Sequence, residues 1–302
     1  MVVTRSQLAR ELGVLGLKAG QTVMVHASVR ALGRIVGGPD TVIRALLDVL
    51  TSAGTVMIYV SWEEWERALV DDVDTFPEAE RLAYLDECPP FDPITSRAER
   101  RWGVLTEYLR TWPGAQRSNH PTASVVALGA GAQHLTENHP LAYGYGIGSP
   151  FDRICQRRGK VLLLGSPLNA VTLLHYAEHI APLPNKRVVV CKTPVLLDGV
   201  RTWVEFEEFD TCDGIVPGES SEEYFEEIVG AYLMTGRGSE GRVGEAHACL
   251  FDAADLVAFA VERMVQRWGG DAEPGAGLPC GTMSWPARTE GVGGDEQRSE
   301  LT

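Results

Sequence analysis

Between Thr22 and Val60 the chain reads strand, loop, helix, strand, and that order restricts it to an α/β architecture. Thr22-Val23-Met24-Val25 and Thr55-Val56-Met57-Ile58-Tyr59-Val60 are short apolar runs of buried-strand type. Between them, Gly37-Gly38-Pro39-Asp40 opens a helix over residues 41–50, with Pro and Asp at its start. A third strand, Lys160-Val161-Leu162-Leu163-Leu164, runs into a turn at Gly165 and then into a helix. Apolar spacing predicts further helices over 5–17, 104–112, 150–157, 222–234 and 253–268, and a strand over 124–128. Residues 186–196 and 201–206 read as two strands joined by the turn Leu197-Asp198-Gly199-Val200. The segment 61–100 reads as a long irregular excursion, rich in aromatic residues and broken at Cys88-Pro89-Pro90. After Gly269 the chain turns to Gly, Pro, Ala and charge, so 1–269 is read as the folded domain and 270–302 as a disordered tail.

The chain has 302 residues, enough for one large core. No apolar run reaches the roughly 20 residues that span a bilayer. Met1-Val2-Val3-Thr4-Arg5-Ser6 lacks an apolar signal core, so a cytoplasmic location is expected. None of the six cysteines forms a C-x-x-C pair, and reduced thiols are expected. The net charge is −14, and its distribution matters more than its total. Residues 61–100 carry 12 acidic against 4 basic side chains, and residues 201–230 carry 10 against 1. Such a surface opposes nucleic-acid phosphates and suits a polycationic ligand.

The densest chemistry lies on the helix after Gly165. His175, Glu178 and His179 share one face, because residues three and four apart are helical neighbours. H-x-x-E-H is also the inverted zinc-protease pattern, in which the histidines bind metal and the glutamate activates water. Taken locally, three readings stay open: a zinc-dependent hydrolase, a metal-free base with a carboxylate nearby, and a polar outer helix face.

The wider sequence resembles the aminoglycoside 3-N-acetyltransferases, the antibiotic N-acetyltransferase family, over roughly residues 5–268. The resemblance is carried by four motifs in the family's order. They are His26-Ala-Ser-Val-Arg30-Ala-Leu-Gly33 followed by Gly37-Gly38, Arg117-Ser-Asn-His120-Pro-Thr-Ala-Ser124, Leu174-His175-Tyr-Ala-Glu178, and Glu208-Phe-Asp210 ahead of Gly214. It implies a central mixed β-sheet flanked by helices, with the acidic insertion forming part of the substrate pocket. It also implies acetyl transfer from acetyl-coenzyme A to the 3-amino group of a 2-deoxystreptamine aminoglycoside, hence antibiotic resistance, with no metal. His179 lies outside the family's motif.

The resemblance makes His175 the base, since an imidazole titrating near neutrality suits removal of an ammonium proton. Glu208 is the preferred carboxylate partner, while Glu178 binds substrate or anchors its helix. The donor site is assigned to Ser28, Val29, Arg30, Ala31, Leu32 and Gly33, a loop between strand and helix whose amides suit a pyrophosphate. Ser118 and Ser124 join that set, Ser124 or an amide beside it serving the thioester oxygen. Ser118 and His120 also have a structural reading. Carboxylates for the drug's ammonium groups are sought in Asp210, Asp213 and the 61–80 segment, with Glu63, Glu64, Asp71, Asp72 and Asp74, and Trp62 is expected to pack on a sugar ring. A monomer or homodimer is expected, with no nucleic acid or membrane partner. A binding protein that merely sequesters cationic sugars is the third functional class compatible with the acidic blocks.

Overall fold

The computed structural model describes residues 2–269 except 71, 72, 213 and 217. The tail expected over 270–302 lies outside the described residues, as do Asp71 and Asp213.

The chain begins with β1 (Val2–Val3) and α1 (Arg5–Leu15), then β2 (Thr22–Ala27), β3 (Arg34–Ile35), α2 (Gly38–Leu50) and β4 (Thr55–Tyr59). It continues through α3 (Glu63–Val70), α4 (Glu78–Glu87), α5 (Val104–Arg110), β5 (Gln116–Arg117) and β6 (Val125–Gly129). Next come α6 (Ala132–Thr136), α7 (Pro150–Gln156), β7 (Lys160–Leu164) and α8 (Leu174–Ile180). It ends with β8 (Val188–Leu197), β9 (Val200–Phe209), α9 (Ser221–Met234), β10 (Ser239–Val243), β11 (Ala246–Asp252) and α10 (Ala253–Trp268).

Seven strands form one sheet in the order β10-β11-β7-β2-β4-β6-β5. β2 pairs in parallel with β4 and β7, and antiparallel strands flank this trio on both sides. The sheet is therefore mixed and lies between two helical layers. Side chains alternate between its faces. Met24, Met57, Val161 and Leu163 point into a core closed by α7, α8, α9 and α10. Val23, Val25, Val56, Leu162 and Leu164 point into a second core closed by α1, α2 and α5. Burial on both faces is why the central strands are apolar without interruption.

Local signals fix several boundaries. Thr4 caps α1 by accepting from the Gln7 amide, and Gly16 ends the helix in the left-handed conformation. Asp252 caps α10 by accepting from the Asp255 amide. Pro39 and Asp40 start α2 as the sequence predicts.

Several elements differ from the sequence reading. The strand expected over 22–25 extends through His26 to Ala27, because both continue the ladder with β7. The excursion 61–100 is not wholly irregular but holds α3 and α4. Its aromatic residues Trp62 and Phe91 pack with Cys191, Val195, Val204 and Phe206 of the hairpin in a small separate core. That hairpin, β8–β9, runs one residue further on each strand toward its turn and three further at the end of β9, while β8 begins two residues later than expected. The β10–β11 pair had no sequence signal strong enough to mark it. Among the described residues no helix is long and apolar enough to cross a membrane.

Candidate active site

A cleft of about 1080 Å³ opens at the carboxyl ends of β2, β4 and β7. This is where crossover connections diverge in an α/β sheet and leave a crevice. His26 lines it from β2 and Ser28 from just beyond, Tyr59 from the end of β4 and Trp62 from the segment after it. Ser166, Pro167, Asn169, Ala170 and Thr172 line it from the turn after β7, with His175 from the start of α8. Glu64, Trp65 and Tyr84 of the acidic segment form one wall, and the hairpin residues Glu208, Phe209 and Asp210 form another.

Gly165 lets β7 turn into this cleft. Its φ is +68°, and a Cβ there would stand 2.5 Å from the Ala31 Cβ. The chain then reaches α8, whose Leu174 and Ala177 are buried against the core. This anchors the helix so that His175 faces the cleft with 17 % of its side chain exposed. Nδ1 of His175 lies 2.6 Å from Oε2 of Glu178. Glu178 is fully buried, and its Oε1 accepts from the Ser221 hydroxyl at 3.1 Å and from the Tyr224 hydroxyl. With two hydroxyls already donating to its other oxygen, the carboxylate acts as acceptor toward the imidazole, so Nδ1 carries the hydrogen and Nε2 keeps its lone pair. The ring is held between Tyr145 and Phe225, with centroids 5.0 and 4.9 Å away.

Glu208 does not orient His175, contrary to the sequence expectation. Its Oε1 lies 2.7 Å from Nε2 of His179, and its Oε2 accepts from the Gly144 amide at 2.6 Å. The reason is helix geometry. Glu178 is one turn from His175 on the same helix, whereas Glu208 reaches α8 from β9 and meets the next turn. Glu178, expected also as a substrate ligand, is sealed beneath the site instead.

The same geometry overturns the zinc hydrolase. Nδ1 of His179 lies 2.6 Å from the carbonyl oxygen of His175, and its Nε2 faces Glu208. Both nitrogens are directed at oxygen acceptors of the protein, so the two histidines cannot converge on one ion. Among the described residues, a His, Cys and carboxylate cluster compatible with a metal occurs at Glu240, His247 and Cys249, on β10 and β11 and outside the cleft lining.

The expected donor loop is only partly in place. Ser28 lines the cleft, and its amide donates to the Leu164 carbonyl at 2.9 Å. Val29, Arg30 and Ala31 form the adjoining turn outside that lining. Leu32 is buried in the core shared with α1 and α2. A Cβ on Gly33 would meet the Glu245 side chain 2.6 Å away. Ser118 and Ser124 are both fully buried and do not reach the cleft. Ser124 donates to the Val60 carbonyl at 2.8 Å, and the Ser118 hydroxyl lies 2.9 Å from Nδ1 of His139. They brace strands, because the motif containing them is the connection between β5 and β6. Arg117 and His120 are spent the same way, Arg117 on the Ser96 and Val60 carbonyls and His120 on the Leu141 carbonyl.

Of the expected substrate ligands, Trp62 lines the cleft while packing on Phe91, with centroids 5.7 Å apart. Asp210 also lines it, its Oδ2 lying 2.7 Å from Arg187. Glu63 pairs with Arg100 at 3.8 Å and stands outside the lining, whereas Glu64, also expected, lines the cleft and accepts from the Tyr84 hydroxyl at 3.0 Å. Asp72, like Asp71, lies outside the described residues. Sequence reasoning missed Tyr59, Tyr145, Phe225, Ser221 and Tyr224, which come from distant segments. Lys186 was missed too. Its ammonium donates to the His179 carbonyl at 2.8 Å, and burial pushes its pKa down to about 8, with Glu178 opposing.

An imidazole with a fixed tautomer, open to a large cleft with carboxylates on its walls, is an arrangement that can take a proton from a bound cationic nucleophile. The family model described as aminoglycoside 3-N-acetyltransferase matches residues 24–265, and the chain belongs to that family. It is 44 % identical over 273 residues to aminoglycoside N(3)-acetyltransferase III of Pseudomonas aeruginosa, covering 90 % of this chain and 97 % of that one. It is also 44 % identical over 280 residues to aminoglycoside N(3)-acetyltransferase VII of Streptomyces paromomycinus, covering 90 % and 95 %. Among solved structures, AAC-IIIb in a binary complex with CoASH superposes with a TM-score of 0.84 at 45 % identity, covering 90 % of this chain and all of that one. AAC-VIa bound to sisomicin superposes with a TM-score of 0.81 at 35 % identity, covering 89 % and 100 %.

Proposed function

We propose that the protein transfers an acetyl group from acetyl-coenzyme A to the 3-amino group of a 2-deoxystreptamine aminoglycoside, with His175 as general base. One observation carries the mechanism: the 2.6 Å contact between His175 Nδ1 and a fully buried Glu178. It leaves Nε2 unprotonated on the cleft side. An amine that binds as ammonium must lose a proton before it can attack, and Nε2 accepts it. Glu178 then stabilises the imidazolium across the same contact, so that proton transfer creates no isolated charge. Acetyl-coenzyme A, when bound, supplies an activated acyl carbon and a thiolate leaving group. Deprotonation at Nε2 prepares the nucleophile; as the attacking nitrogen becomes an amide it gives up a second proton, which neutralises the departing sulfur, and the imidazolium releases the first to solvent.

The walls match the acceptor's charge. Asp210 and Glu64 supply carboxylates, and Trp62 with Trp65 supplies faces for sugar rings. On the donor side, Ser28 at the end of β2 and Ser166 after β7 offer polar groups to a head group entering there. The relatives' names place the same reaction on proteins that align along nearly their whole length, which supports this reading.

A thiol-release assay with acetyl-coenzyme A across an aminoglycoside panel tests the assignment. Acetylation at the 3-amino position is expected for the parent, with no turnover for His175→Ala at an unchanged melting temperature. Drug binding without thiol release would instead indicate a sequestering protein.

A further inference from the structure

Proton transfer needs the first His–Glu pair, yet a second one is buried a turn further along α8. His179 is 1 % exposed and Glu208 4 %. A carbonyl oxygen only accepts, so the contact from His179 Nδ1 to the His175 carbonyl places a hydrogen on Nδ1. Glu208 already accepts from the Phe209 amide at 2.9 Å and from the Gly144 amide at 2.6 Å. One hydrogen lies in the remaining 2.7 Å contact with His179 Nε2, and because both carboxylate oxygens already accept from amides it is assigned to the nitrogen. The bookkeeping closes as an imidazolium–carboxylate pair with every donor and acceptor engaged.

The pair is one stretch of a longer buried chain. The Ser118 hydroxyl faces His139 Nδ1 at 2.9 Å, and His139 Nε2 donates to the Gly144 carbonyl at 2.7 Å. The Gly144 amide continues to Glu208, Glu208 to His179, and His179 to the backbone of His175. Three separate segments therefore meet at one carboxylate: the catalytic helix, the loop at Gly144, and the end of β9 two residues before Asp210.

Resting on the acetyl-transfer reading, we propose that His179 and Glu208 are positioning residues, a charged clamp that fixes His175 against the wall bearing Asp210. His179 does not line the cleft and so does not touch substrate. A displacement near 1 Å costs up to about 10²-fold in rate. His179→Phe and Glu208→Gln should therefore each lower kcat by about 10- to 100-fold. KM for acetyl-coenzyme A should stay within about twofold, since the clamp faces the acceptor wall. In the parent protein, ¹⁵N–¹H correlation of the ring nitrogens should show His179 protonated at both.

A kcat within about twofold of the parent in both variants would overturn the positioning role. A singly protonated His179 ring would overturn the charged clamp. Should His179→Phe fail to fold, Glu208→Gln and the parent spectrum decide. Retained turnover in His175→Ala, run in parallel, would instead sink the underlying assignment of the base.

Discussion

His175 and Glu178 meet at 2.6 Å across one turn of α8, and the glutamate has no exposed surface. The contact is local in sequence, but its chemical value comes from elsewhere. Ser221 and Tyr224 reach in from α9 and occupy the other carboxylate oxygen, leaving Glu178 only the role of acceptor toward His175.

Glu178→Gln replaces that acceptor with an amide that can present N–H to the ring. The tautomer is then no longer fixed and the imidazolium loses its counter-charge. We expect kcat to fall by about 10²- to 10⁴-fold with KM for either substrate little changed. Steady-state kinetics with both substrates varied will show it, and a loss confined to KM would exclude the orienting role.

Asp210→Asn removes a carboxylate from the acceptor wall and weakens its 2.7 Å contact with Arg187. The KM for a polycationic aminoglycoside should rise by about tenfold, a typical value for one charge-assisted hydrogen bond. The dependence of KM on salt should weaken at the same time. An unchanged KM and salt slope would mean that Asp210 serves only to hold Arg187.

Gly144→Ala tests the crowded junction beside Glu208. A Cβ there would lie 2.4 Å from Nε2 of His120, which is itself bonded to the Leu141 carbonyl. Overpacking of this kind costs about 1–3 kcal/mol. A lowered urea midpoint together with reduced kcat is expected, and a midpoint equal to the parent's would contradict the packing.

Stability should fall on acidification in two windows. Burial pushes His26 and His120 down to about 4, and His139 well below its ordinary value. The unfolded chain protonates these rings near pH 6.5, before the folded one does. Their contribution is thus complete above about 6.5 and is lost as pH falls toward 4, at about 1.4 kcal/mol per unit for each ring. Glu107 acts lower. Burial alone would raise it, but hydrogen bonds from Arg110, the Ala98 amide and Arg97 prevail and hold it at about 2. Its contribution is present above about 4.5 and is lost toward pH 2. Urea midpoints at successive pH values will separate the windows, and a flat midpoint from pH 7 to 5 would refute the histidine part.

Much of the architecture is legible in the chain because it rests on local rules. The strands over 22–25, 55–60 and 160–164 show as apolar runs since both faces of the sheet are covered, and α2 shows through Pro39 and Asp40. The β10–β11 pair is hidden because Ser239, Glu240 and Arg242 make β10 an exposed polar edge without alternation. α3 and α4 are hidden by acidic composition, as their apolar contacts fall on the distant hairpin.

What the sequence determined by itself is the α/β frame, the family, and a histidine with acidic neighbours on one helical face, all of which depend on spacing along a few turns. Only the tertiary structure decided which carboxylate serves which ring. Glu178 and Glu208 are equivalent as sequence symbols. The packing of α9 behind one and the arrival of β9 and Gly144 at the other assign their hydrogen-bond partners, and those partners come from segments more than 25 residues away. Ser118 and Ser124 show the same limit: a polar residue in a shared motif reads as a ligand until burial reveals that it braces the sheet.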